Sequence, residues 1–117
     1  MMRTTVTKGS RNVFLDLGFA QERAASLRLK SNLLQALQGT IKERGWKQVE
    51  AAAQLGIDQA KVSKLLAGQM AGFSIERLVY FLSMLGQDVE VRIRKTRDGR
   101  KPGAVQAKLP RTQKVPA

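Results

Sequence analysis

The sequence predicts a mainly α-helical domain, a small bundle of four to five helices in which two meet at a tight turn, followed by one C-terminal β-strand that pairs across a dimer. Three observations carry this. Apolar residues recur at helical spacing in successive segments between residues 22 and 85. Glycines stand where those segments should stop, at positions 45, 56, 68 and 86. Across 88–94 the period then changes from 3.6 to 2.

Composition bounds what such a domain can do. With 117 residues, 43% of them hydrophobic, there is room for one compact domain with a small core and tails. A formal charge of +12 points to a polyanionic partner, with RNA or an anionic membrane surface suiting the charge alone as well as DNA does. Having neither Cys nor His, the chain is expected to hold no disulfide, no Cys/His zinc site and no thiol or imidazole chemistry. No paired catalytic carboxylates and no phosphate-binding loop can be assembled, so no enzyme, no cofactor and no metal are expected. No apolar run approaches the roughly 20 residues of a membrane span, and the first ten residues lack a signal-peptide core, which makes the cytosol the expected compartment.

In chain order, residues 1–20 form an N-terminal arm, polar and Thr-rich through residue 10 and expected to be disordered there. Residues 12–19, N-V-F-L-D-L-G-F, then gather Val13, Phe14, Leu15, Leu17 and Phe19. Gly18 and the short length argue against an independent helix, so these aromatics must be buried on something. Folding back on the chain's own core is the favoured reading; docking on another protein is the alternative.

The domain proper spans 21–87. Its first helix runs from about Glu22 to Arg44, with Leu29, Leu33, Leu37 and Ile41 at four-residue spacing, Leu34 and Ala36 widening the stripe, and Gly39 allowing a bend. The second starts near Lys47 or Gln48 and ends by Leu55, with Val49, Ala52, Ala53 and Leu55 as its expected buried side. Glu50 can reach back as a capping residue, but Lys47 cannot reciprocate, so that cap is half made. Gly56 takes the corner, Ile57 plugs the angle, and Asp58 caps a third helix, Gln59 to Leu66, with Val62, Leu65 and Leu66 facing inward. A fourth helix opens at Ser74, with Phe73 and Leu78 spaced as a hydrophobic staple and Ile75, Leu78, Val79, Leu82 and Leu85 as its stripe.

Residues 88–95 hold the strand, with Val89, Val91 and Ile93 on one face. A lone strand leaves backbone groups unpaired. Pairing with the same strand of a second copy across a two-fold axis is favoured, with pairing to residues 13–15 as the competitor. Residues 96–117 contain all three prolines and form a disordered basic tail. From residue 88 onward nine Lys/Arg face three Asp/Glu, net +6, so the tail is either a solvated end or a flexible arm that adds phosphate contacts.

Two short helices joined by a Gly corner describe a helix-turn-helix, whose second helix fits the major groove of DNA. Gln59 is the first choice for a base contact, because its amide pairs bidentately with adenine. Ala60, Ser63 and Lys64 share the exposed reading segment, while Lys47, Gln48 and Lys61 are assigned to phosphates, aided by the free amides at the start of the second helix.

Gln48, Ala52, Gly56, Ile57, Val62, Ser63 and Leu65 resemble the Cro/repressor, or Xre, helix-turn-helix class. Over most of 12–94, N-V-F-x-D-L-G-F, G-I-D-Q-x-K-V-S-x-L-L-x-G, G-F-S-I-E-R-L and L-G-Q-D-V-E-V are similar to HigA-like antitoxins. That resemblance implies five helices or fewer, a dimer on a palindromic operator of double-stranded DNA, autorepression of a HigBA-like operon, neutralisation of a RelE-like toxin that cleaves messenger RNA, and life in a bacterial cytoplasm, on the nucleoid when bound. It places the groove-reading segment on 58–64 and the dimer strand on 88–94. Lys47 departs from the Thr common at that helix start. A stand-alone phage or plasmid regulator without a toxin is the alternative, and a neighbouring reading frame for a small basic RelE-like protein would separate the two.

Overall fold

The computed structural model describes residues 8–99 and 102–110, with side chains described from Leu17 onward. Four helices follow in order, α1 (Lys8–Arg44), α2 (Gln48–Leu55), α3 (Gln59–Leu66) and α4 (Ile75–Met84). None of them is long and apolar enough to cross a membrane.

The first helix departs most from the sequence reading. It has 37 residues, so it should be about 55 Å long at 1.5 Å per residue, and the molecule's longest extent is 57 Å. Residues 12–19 are therefore the helix itself rather than a separate arm, and neither Gly18 nor Gly39 interrupts it. Once a helix is nucleated each further residue adds a bond at small entropic cost. A glycine deficit of about 1 kcal/mol then lowers local stability without stopping the helix. Helical backbone at 13–15 also rules out pairing of those residues as a strand with 88–94 within the chain. The expected fold-back onto the core fails for the two arm side chains that are described, since Leu17 and Phe19 are 55% and 57% exposed. The side chains of Val13, Phe14 and Leu15 lie outside the described residues, as does all of 1–7.

Packing is concentrated on the second half of α1. Leu33, Leu34, Leu37 and Ile41 are buried there, and α1 packs against α4, which brings Leu78, Phe81 and Leu82 into the same core. Phe73 meets Phe81 edge to face, ring centres 6.4 Å apart. Ser74 Oγ accepts the Arg77 amide at 3.1 Å, and Phe73 and Leu78 are both buried, so the staple and cap expected at the start of α4 are formed.

On α2 the buried face is Ala51, Ala52 and Leu55, whereas Val49 and Ala53 are exposed, contrary to expectation. Residues 49 and 53 are one turn apart and share a face. Ala51, Ala52 and Leu55 set the inward phase of the helix, and 49 and 53 fall on the opposite face.

After α4 the chain is extended but unpaired. Among the described residues 88–94 form no strand ladder, and Val91 and Ile93 are 86% and 91% exposed. Period-2 alternation makes an edge; it does not supply a partner. The chain then turns, with the Gly99 amide donating to Thr96 Oγ1 at 2.7 Å, and returns to α1. There the Ala107 amide donates to Asn32 Oδ1 at 2.9 Å and Ala107 packs on the core, so the segment expected to be a free tail touches α1 at this residue, while 102–106 stay exposed. Arg100, Lys101 and 111–117 lie outside the described residues.

Candidate nucleic-acid interface

The site is built from the corner between α2 and α3. Gly56 has φ 71°, a conformation costly for any residue with a Cβ. Its amide and that of Ile57 both donate to Ala52 O, at 2.8 and 3.1 Å, which closes α2 and turns the chain sharply. Ile57 follows, half-buried and packed on the core between the two helices.

Asp58 then starts α3, with Oδ1 accepting the Lys61 amide at 2.8 Å. Val62 and Leu65 are wholly buried and fix the inner side of α3. The outer side follows from helical phase: Gln59, Ala60, Lys61, Ser63 and Lys64 are all exposed. These are the reading segment deduced from sequence, together with one lysine assigned to phosphate. Gln48 is half-buried at the head of α2, and Gln59 Nε2 donates to its Oε1 at 3.4 Å. The two glutamines thus stand side by side at the heads of both helices, joined by one long, exposed contact.

Lys47 stands one residue before α2, exposed, and its amide donates to Glu50 Oε1 at 2.7 Å. Lysine carries no acceptor, so the half-made cap is what chemistry permits. The arrangement is nearly neutral: Lys47, Lys61 and Lys64 face Glu50 and Asp58, and both carboxylates are spent on helix caps. Arg92, Arg94, Lys95 and Arg97 follow α4, but with Asp88, Glu90 and Asp98 in the same stretch residues 88–98 also carry a net +1, and Arg92 Nη2 lies 3.8 Å from Glu90 Oε1. The surface of α3 is suited to directional hydrogen bonding, and general attraction to a polyanion is shared between its lysines and the arginines and lysine after α4.

Several residues that hold this surface in place escaped the sequence reading. Arg44 Nη2 donates to Leu85 O at 2.6 Å while its guanidinium lies 5.2 Å from the centre of the Trp46 ring. One side chain therefore joins the end of α4 to the connection that leads into α2. Gln38, half-buried on α1, donates from Nε2 to Leu65 O at 3.0 Å and Leu66 O at 3.4 Å. A glutamine one turn after Leu34, on a stripe otherwise apolar, was the visible signal. Val89, Val91 and Ile93, assigned to a dimer strand, pair with no strand among the described residues.

A family model described as a helix-turn-helix domain matches residues 13–94. It takes in most of α1, all of α2 to α4 and the extended segment. A solved structure described as an XRE family transcriptional regulator is 41% identical, covers 71% of this chain and 93% of its own, and superposes with a TM-score of 0.67. Among curated proteins none matches. A match that spans the turn, both short helices and the core helices on either side is a match to the domain rather than to a local pattern. This chain belongs to the helix-turn-helix domain family, of the Xre type.

Proposed function

We propose that the chain is a sequence-specific DNA-binding transcriptional repressor that serves as the antitoxin of a HigBA-like toxin–antitoxin operon. In this reading it represses its own operon and neutralises a RelE-like toxin that cleaves messenger RNA. The observation that carries the DNA-binding part is the exposed first turn of α3, capped by Asp58, with Gln59 beside Gln48. A helix end of this kind, free of covering structure, fits the major groove with side chains aimed at base edges.

Roles then follow from chemistry. Gln59 reads adenine through its amide, Ala60 offers a methyl-sized contact, and Ser63 and Lys64 reach bases one turn on. Lys47, Gln48 and Lys61 meet phosphates. Two copies pair through 88–94, where Val89, Val91 and Ile93 leave an unpaired edge, and bind half-sites about one helical turn, 34 Å, apart or a multiple of that.

The antitoxin part rests on the resemblance and on one structural feature. Leu17 and Phe19 are exposed large apolar side chains on the projecting end of α1, which suits a protein partner there. Such toxins are basic, so Glu22 and Glu43 on α1 would have to offset the chain's own charge at the contact. A stand-alone Xre-type regulator, without a toxin, uses the same domain and leaves that end of α1 without this role.

The test has two arms. Selection from a randomised DNA pool should enrich a duplex with two-fold symmetry, and a footprint without such symmetry contradicts the dimeric repressor. Co-expression with the adjacent reading frame should bring down a small basic protein, and substituting Leu17 and Phe19 by Ser should release it. Recovery of the chain alone favours the stand-alone regulator.

A further inference from the structure

We propose that Gln38 of α1 is a positioning residue for DNA recognition: by donating to the last carbonyls of α3 it sets the tilt and roll of that helix, and so the aim of Gln59. The proposal rests on the reading of α3 as the groove helix.

Helix α3 is short. It has eight residues, and its fully buried side chains are Val62 and Leu65. Val62 and Leu65 seat it in the core and Leu66 packs at the core's edge, all on its inner side, so the hydrogen bonds at its ends add to what sets its orientation. Its final carbonyls have no partner one turn on within the helix. Backbone amides take three of them: Ala67 donates to Ser63 O at 3.0 Å, Gln69 to Lys64 O at 3.0 Å and Gly68 to Leu65 O at 3.1 Å. Gln38 takes Leu65 O a second time and reaches Leu66 O, both from the same Nε2.

What distinguishes this bond from an ordinary cap is its origin. The donor lies 27 residues away, on the helix that carries most of the core. Asp58 caps the head of α3 from its own chain neighbour and so travels with the helix. Gln38, in contrast, refers the tail of α3 to the rigid frame formed by α1 and α4. Its neighbours Leu37 and Ile41 are buried, so the base of the side chain is fixed as well.

Leverage makes the position matter. Gln59 and Leu65 are six residues apart, about 9 Å along the axis. A tilt of about 10° at the tail moves the head by about 1.5 Å, beyond the tolerance of roughly 0.5 Å within which a bidentate contact keeps its geometry. Phosphate contacts by flexible lysines tolerate such a shift. Loss of the Gln38 bonds should therefore weaken recognition of a particular sequence and spare general DNA binding.

The experiment compares the full chain with Gln38→Met, which keeps length and loses the donor, and Gln38→Lys, which keeps a donor. The probes are a duplex that the parent selects from a randomised pool and the unselected pool itself. We expect Gln38→Met to keep its helical signal and its affinity for the pool while losing about tenfold in affinity for the selected duplex, the size of one misaligned base contact. Gln38→Lys should recover most of the ratio between the two affinities. A Met variant whose ratio stays within about twofold of the parent, or whose two affinities fall together with its helicity, overturns the proposal. Should no duplex be enriched, or should Gln59→Ala leave the selected duplex equally bound, the groove reading of α3 fails, and the proposal with it. An intact Gln59 effect with no Gln38→Met effect removes Gln38 alone.

Discussion

Replacing Gln59 by Ala separates recognition from folding, because the structure assigns this side chain so little of the latter. It is exposed, and its bond to Gln48 Oε1 is long, at 3.4 Å. An exposed bond of that length contributes little, so the variant should melt within about 0.5 kcal/mol of the parent, the usual range for surface changes. Alanine is also the better helix former. On DNA the balance reverses. A bidentate amide contact to adenine discriminates by about 1–3 kcal/mol, which is a loss of roughly 5- to 150-fold for each half-site reached. The assay is a titration of the selected duplex by fluorescence anisotropy at several salt concentrations, beside the same titration of duplexes altered at each base pair. The account predicts weaker binding, an unchanged salt slope and relaxed preference at one base pair per half-site. Equal binding by variant and parent refutes it. So does a uniform loss on every duplex, since that is the signature of a lost phosphate contact.

Three further outcomes follow from the same geometry. Lys61→Ala should weaken binding to all duplexes alike and reduce the salt slope by about one per half-site contacted; an unchanged slope removes Lys61 from the phosphate contacts. Asp58→Ala removes the acceptor of the Lys61 amide and should lower stability in urea by about 1 kcal/mol, whereas an unchanged midpoint would show the cap to be idle. Val91→Pro should leave the monomer fold intact, since Val91 is 86% exposed, and should give monomers by light scattering; an unchanged mass counts against pairing through 88–94.

How much of this was legible in the sequence depends on the range of the signal. Gly56, Ile57, Asp58, Val62 and Leu65 announce a corner between two helices because each acts on its immediate neighbours through φ, cap or phase. Ser74, Phe73 and Leu78 announce α4 in the same way. What failed was extent. Gly18 and the short length of 12–19 argued against a helix there, yet helix continuation is cooperative and the penalty of one glycine is small against it. Val49 was assigned to the core because it is apolar, although the phase set by Ala51, Ala52 and Leu55 turns residues 49 and 53 outward together. Long-range partners were hidden altogether: Gln38 with the tail of α3, Arg44 with Leu85, and Asn32 with Ala107 join positions 27, 41 and 75 residues apart. Alternation in 88–94 was visible, but a strand is made by two partners, and among the described residues the segment pairs with none.

The central claim is that the exposed turn of α3 enters DNA. Its most direct test is an amide chemical-shift titration of the isotope-labelled chain with the selected duplex. The account predicts that the largest changes fall on residues 59–64 and on Gln48, with smaller, salt-sensitive changes across Arg92 to Arg97. Changes confined to the segment after α4, with the α3 amides unmoved, would contradict it.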